Sequence, residues 1–219
     1  TKSWSDALYH LLFVLRMIAI ALIVVALARP QTHSENAKTK ITDGIDIVMA
    51  IDVSASMLSP DLKPNRFEAL KKVASQFVKD RPNDRIGLVI YAGESYTKTP
   101  VTTDKSIILN ALSEITYGQI EDGTAIGMGL ATAVNRLKES KAKSRVIILL
   151  TDGVNNTGFI DPQTAAELAA EYGIKVYTVG IGTNGMALSP YALNADGSII
   201  YRMQQVDIDE PLMKKIAQV

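Results

Sequence analysis

The fold class that this sequence predicts is α/β: a doubly wound, mostly parallel sheet with one antiparallel edge strand, preceded by a transmembrane helix. Three observations predict it. Short runs rich in Val, Ile and Leu (Ile45–Asp52, Arg85–Tyr91, Arg145–Leu150, Ile174–Val179) alternate with longer amphipathic segments, the pattern of parallel strands joined by helical crossovers. Several of these runs are apolar at nearly every position, as a strand covered on both faces must be. Tyr96–Val101 follows Arg85–Tyr91 after too few residues for a crossover, which makes that pair an antiparallel hairpin at a sheet edge.

Taken in order, the apolar run Ala7 to Ala28 is broken only by Tyr9, His10 and Arg16, and about 20 such residues cross a hydrocarbon core. Three readings fit it: a transmembrane anchor, a cleavable signal peptide with Arg16 as its basic region and Ala26-Leu27-Ala28 as its small-residue site, or a buried core helix. The anchor is favoured because Leu11–Leu15 extend the apolar run upstream of Arg16. This divides the chain into a transmembrane segment at 1–29, a polar linker at 30–43 opened by Arg29-Pro30, and a folded domain at 44–219.

In the domain, the strand at Ile45–Asp52 leads through a loop to a helix at about Arg66–Lys79, with Phe67, Leu70, Ala74, Phe77 and Val78 on one face. After the hairpin, Thr103 or Asp104 caps a helix to about Ile115. A further helix, about Thr124–Glu139, turns Ile126, Leu130, Ala133, Val134 and Leu137 inward. Arg145–Leu150 is a second fully buried strand, and Pro162–Tyr172 a helix capped by Asp161. Ile174–Val179 reads as another central strand, Asn184–Ser198 as irregular, Ile199–Arg202 as a short strand and Asp209–Gln218 as a terminal helix.

Composition narrows the function classes. The 23 basic and 23 acidic residues cancel, so there is no electrostatic footprint for nucleic acid. Cysteine is absent and the two histidines, His10 and His33, precede the domain, which leaves it no thiol nucleophile and no imidazole base.

Chemistry concentrates where two long strands run out. Asp52, Ser54 and Ser56 place three oxygen-bearing side chains at alternate positions after the first strand, and Thr151-Asp152-Gly153 ends a later one. Thr124 opens the long helix between them. Ligands of open α/β sheets sit at the carboxyl ends of the strands. Carboxylates and hydroxyls without His or Cys form a hard ligand set, suited to Mg2+ or Mn2+ (with Ca2+ as the third candidate) rather than zinc. The bland alternative is a strand-end turn, Asp52 and its serines capping their own backbone. Glu94, Asp122 and Asp161 read as loop charges or caps. Gly180-Ile181-Gly182-Thr183-Asn184-Gly185 fits a dinucleotide fingerprint but opens no helix, so its glycines read as a turn beside the metal face. Asn155-Asn156-Thr157 is a glycosylation sequon.

Asp-x-Ser-x-Ser, a Thr after Gly and an Asp after an apolar strand, in that order, resemble the metal-ion-dependent adhesion site of von Willebrand factor A (vWA, Rossmann-like) domains over about Gly44 to Val219. The resemblance implies that Ser54, Ser56 and Thr124 offer hydroxyls to a metal, Mg2+ first among the candidates, and that Asp52 and Asp152 bind it directly or through water. An open coordination position would then receive an acidic residue of a protein partner. Ala26-Leu27-Ala28-Arg29-Pro30-Gln31, followed by a linker and Gly44-Ile45-Asp46-Ile47, is similar to membrane-anchored vWA proteins of the Bacteroides aerotolerance (Bat) type, BatA in particular. That likeness implies a bacterial cytoplasmic membrane location with the domain facing the periplasm. The implied partners are other Bat-type membrane proteins, with an indirect link to a MoxR-type AAA+ ATPase. Binding is expected rather than catalysis; the alternatives are a metal-dependent phosphatase or hydrolase, and a structural subunit whose metal site is unused.

Overall fold

The computed structural model describes residues 4–27, 44–152, 154–194 and 198–218. The chain divides into two units, Thr1–Lys40 and Ile41–Val219. In the first, Trp4–Leu27 forms one helix of 24 residues, α1, and its large apolar side chains from Leu8 to Val24 are exposed. Among the described residues no helix is long and apolar enough to cross a membrane. Of the span expected at 1–29, Trp4–Leu27 is helical and is not shown to be a membrane segment. The linker expected at 30–43 lies outside the described residues.

The second unit is the expected α/β sheet. Its elements are β1 (Asp46–Asp52), α2 (Arg66–Lys79), β2 (Arg85–Tyr91), β3 (Ser95–Thr102), α3 (Lys105–Glu114), α4 (Ile126–Leu137), β4 (Arg145–Thr151), α5 (Pro162–Glu171), β5 (Lys175–Gly180), β6 (Gly185–Leu193), β7 (Ile199–Val206) and α6 (Glu210–Gln218). Five strands form one sheet in the order β3-β2-β1-β4-β5. β1 is parallel to β2 and β4, β5 is parallel to β4, and β3 is the antiparallel edge. Connections leave β1 toward one side and β4 toward the other, so the switch point of the sheet, where such folds hold ligands, lies between β1 and β4.

Alternation along β1 feeds two cores. Ile47, Met49 and Ile51 pack with Phe67, Leu70, Ala74 and Val78 of α2 on one face. Val48 and Ala50 pack with Ile126, Leu130, Ala133 and Val134 of α4 on the other. Every residue of β1 is buried, and each large apolar side chain so covered contributes about 1.5–3 kcal/mol. Asn65, Asp104 and Asp161 cap α2, α3 and α5 by accepting from backbone N–H groups.

Two expectations need correction. Ile174–Val179 is apolar enough to read as a central strand, yet β5 is the edge of the five-stranded sheet, with Tyr177 and Val179 exposed. The stretch Asn184–Ser198, read as irregular because of Gly185, Pro190 and Asn194, is largely β6, paired antiparallel with β7 in a separate two-stranded sheet. Pro190 is tolerated because both strands of a two-stranded ribbon are edge strands. The register slips between Pro190 and Ala192.

Candidate metal centre

At the carboxyl end of β1 the backbone turns into a short 3-10 segment, Ala55–Leu58. The turn is built by Asp52 itself: Oδ1 accepts from the Ser54 backbone N–H at 2.9 Å. Its other oxygen, Oδ2, accepts from the Thr151 hydroxyl of β4 at 2.9 Å. The local capping role of Asp52 is thus real. It does not account for the rest of the cluster. The Ser54 and Ser56 hydroxyls lie 3.0 Å apart, and the Ser56 hydroxyl helps to lower the pKa of the Asp152 carboxyl across the switch point. Ala55 N–H donates to Asp122 Oδ1 at 2.9 Å, so Asp122 braces the serine loop.

Thr124 arrives from the third direction. Its backbone N–H donates to Asn156 Oδ1 at 2.8 Å, and Ile126 N–H donates to Asn155 Oδ1 at 2.9 Å. Asn155 and Asn156, legible in the sequence only as a sequon, thereby satisfy N–H groups at the start of α4, which has no side-chain cap of its own. Thr124, Ser56 and Asp152 line one cleft of about 260 Å³, with Arg66, Asn156, Ser189, Gln204, Gln205 and Asp207 among the other lining residues. Asp52 is fully buried, and Ser54 and Thr124 are nearly so.

The electrostatics are those of a site short of positive charge. Burial, and next the nearby charge of Asp152, push the Asp52 carboxyl up from 3.8 to about 7. Burial also raises Asp152, although the Ser56 hydroxyl and Arg66 pull it back. Two desolvated carboxylates facing each other beside converging hydroxyls are relieved by a divalent cation, so the donor set fits a hard metal ion. Among the described residues, no group of three or more His, Cys, Asp and Glu side chains that could hold a metal is found; the hydroxyls of Ser54, Ser56 and Thr124 have to complete the set.

Beside these asparagines, sequence reasoning missed Arg66, Thr151 and Asp207. Arg66 is charged yet buried and donates to Asp152 Oδ2 at 3.0 Å. Nothing local marks it, since its partner lies 86 residues away. Thr151 was legible only as a strand end, and Asp207 only as a polar residue before a helix.

Fold and oxygen cluster together define the class, an open α/β domain with a hard-ligand constellation at the switch point of its sheet. The chain belongs to the von Willebrand factor type A domain family, whose model matches residues 46–210. It is similar to an aerotolerance-related membrane protein from Bacteroides fragilis, with 29% identity, a TM-score of 0.70, and 80% of this chain and 87% of that one covered. It is also similar to the conserved hypothetical protein BatB from Bacteroides thetaiotaomicron, with 32% identity, a TM-score of 0.69, and 80% and 86% covered. Proximal thread matrix protein 1 from the mussel byssus, described with a zinc-occupied MIDAS motif, matches at 28% identity and a TM-score of 0.56 over 64% of this chain and 36% of its own. An uncharacterized protein of Borreliella burgdorferi is 34% identical over 82% of this chain, which spans 52% of that relative's length.

Proposed function

We propose that this chain is a cation-dependent docking domain of a Bat-type membrane assembly, with Asp52, Ser54, Ser56, Thr124 and Asp152 as the residues that hold the ion. A divalent cation held there supplies an electrophilic position for an acidic side chain of a partner protein. The observation that carries this reading is the convergence of these five residues, from three separate stretches of chain, on the switch point of the sheet. Two carboxylates balance a divalent charge, and neutral hydroxyls leave the ion attractive to one more anion. Mg2+ or Mn2+ suits the oxygen donors best; the zinc described in the byssus protein places Zn2+ beside Ca2+ among the ions to be compared.

The exposed apolar side chains of α1 support a role for that helix as a membrane anchor, and relatives described as membrane proteins support the same location. In this reading the domain faces the periplasm. Its partners are other Bat-type membrane proteins, with a MoxR-type ATPase acting on the assembly indirectly.

The test is calorimetric titration of the full chain with Mg2+, Mn2+, Ca2+ and Zn2+, beside the Asp52→Asn and Ser54→Ala variants. One binding event is expected, weakened on the order of 100-fold by Asp52→Asn, at the upper end of what altered metal surroundings cost. Absence of binding by all four ions would sink the reading. Isolation of the complex from membranes with and without chelator then identifies the partners, and an assembly indifferent to chelator would reduce the domain to a structural subunit.

A further inference from the structure

Arg66 is 3% exposed, and a charged side chain is almost never so buried without partners. It is the first residue of α2, directly after the Asn65 cap. Its guanidinium makes a fork with Asp61, Nε donating to Oδ1 and Nη2 to Oδ2, both at 2.8 Å. Nη1 turns the other way and donates to Asp152 Oδ2 at 3.0 Å. Asp61 is saturated in turn: Leu62 N–H donates to Oδ1 at 3.0 Å, and the Thr183 N–H and hydroxyl donate to Oδ2 at 3.0 and 2.9 Å. The slot is closed by Gly182, which sits at φ +139 and where a Cβ would lie 2.7 Å from Arg66 Cζ. Two loops and a helix start thus shape a pocket for one guanidinium, and that guanidinium grips one oxygen of a single candidate metal ligand.

We infer that Arg66 determines which cation the centre accepts: by holding Oδ2 of Asp152 it leaves that carboxylate one oxygen to offer, and so favours Mg2+ over Ca2+. This inference rests on the metal reading above. Ca2+ takes about 6–8 oxygens at roughly 2.3–2.6 Å and often chelates a carboxylate through both of its oxygens, whereas Mg2+ takes single oxygens at about 2.0–2.1 Å in a strict octahedron. A carboxylate tethered through one oxygen suits the second geometry. The tether also keeps Asp61 out of the set, since its oxygens already serve Arg66, Leu62 and Thr183. Arginine is suited to this place because its planar fork spans two carboxylates at once, which the point charge of lysine does not.

The probes are MgCl2 and CaCl2 alone, titrated calorimetrically into the full chain and into Arg66→Met, Arg66→Lys and Asp61→Asn, with circular dichroism reporting the fold. The quantity read is the ratio of the two affinities. Arg66→Met is expected to lower the preference for Mg2+ about 10-fold, the size of effect that residues behind a metal ligand commonly have. Arg66→Lys falls between, and Asp61→Asn, which leaves the guanidinium on Asp152, keeps the wild-type ratio. A folded Arg66→Met or Arg66→Lys with an unchanged ratio, or with both ions weakened equally, overturns the inference by reducing Arg66 to a structural brace. Asp61→Asn shifting the ratio as much as Arg66→Met overturns it too, by placing the discrimination in Asp61. If Arg66→Met does not fold, Arg66→Lys decides. A wild-type chain that binds neither ion fails earlier and separately, at the metal reading itself.

Discussion

The oxygen cluster and the β6–β7 ribbon line the same cleft, yet they are held in place by different means. Asp52 and Thr151 sit at the ends of β1 and β4 with no exposed surface, and Ser54 and Thr124 are each 3% exposed. Their positions follow from a close-packed sheet with helices on both faces. The ribbon is two strands paired only with each other, and Met186, Leu188 and Met203 on it are 61%, 42% and 52% exposed. Two strands alone are marginal in water. One wall of the cleft is thus fixed by the core, while the other can change its side chains at little cost to the fold. In the docking role proposed above, that division would keep the metal chemistry constant while leaving the other wall free to vary.

The strongest way to break the contrast is to strain the fixed wall. At Gly127, in the first turn of α4, a Cβ would lie 1.9 Å from the Ile160 carbonyl oxygen. Gly127→Ala is expected to cost about 3 kcal/mol, the upper end for overpacking, in urea denaturation, and to weaken cation binding because α4 starts beside Thr124. Retention of full stability would mean that this wall yields as the ribbon does.

A second, smaller effect sharpens the same point through pH. Burial raises Asp52 in the folded chain from 3.8 to about 7, so between those values the folded state holds a proton that the unfolded state has released. The resulting stability is fully present below about pH 4 and is lost as pH rises through about 7. The metal-free domain should therefore melt several degrees lower at pH 8 than at pH 5, and saturating Mg2+ should restore most of the difference. Asp52→Asn should flatten the profile. A metal-free melting point that rises over this range would contradict the assignment of Asp52 as a buried carboxylate short of a cation.

The smallest effect belongs to the ribbon. Met186→Ser is expected to change stability by no more than about 0.5 kcal/mol, as exposed substitutions do, and to leave cation affinity untouched. A loss of 2 kcal/mol in the same urea experiment would show the ribbon to be packed as firmly as the sheet.

Asp52, Ser54, Ser56, Thr124 and Asp152 could be picked out in the sequence as candidates because they cluster at boundaries that the sequence marks: an apolar run ending in an acid, or a glycine before a helix. Arg66 could not be read, because its meaning depends on Asp152, 86 positions away, being brought beside it. Asn155 and Asn156 carried only a sequon as local signal, and the folded loop alone shows them satisfying the start of α4. The ribbon was missed for the opposite reason: Gly185, Pro190 and Asn194 announce a loop, and local turn chemistry says nothing of a strand pairing with a partner further along.

By itself, the sequence determined the α/β class, the order of the main strands and helices, the two buried faces of β1 and the oxygen chemistry at its end. Periodicity and strand-end residues are local properties, set by which side chains neighbour each other along the chain. Tertiary structure alone decided that β5 lies at the edge, that β6 and β7 form one wall of the cleft, and that a buried arginine grips one oxygen of Asp152. Those are contacts between distant stretches of chain, and their energies exist only once the sheet has closed around them.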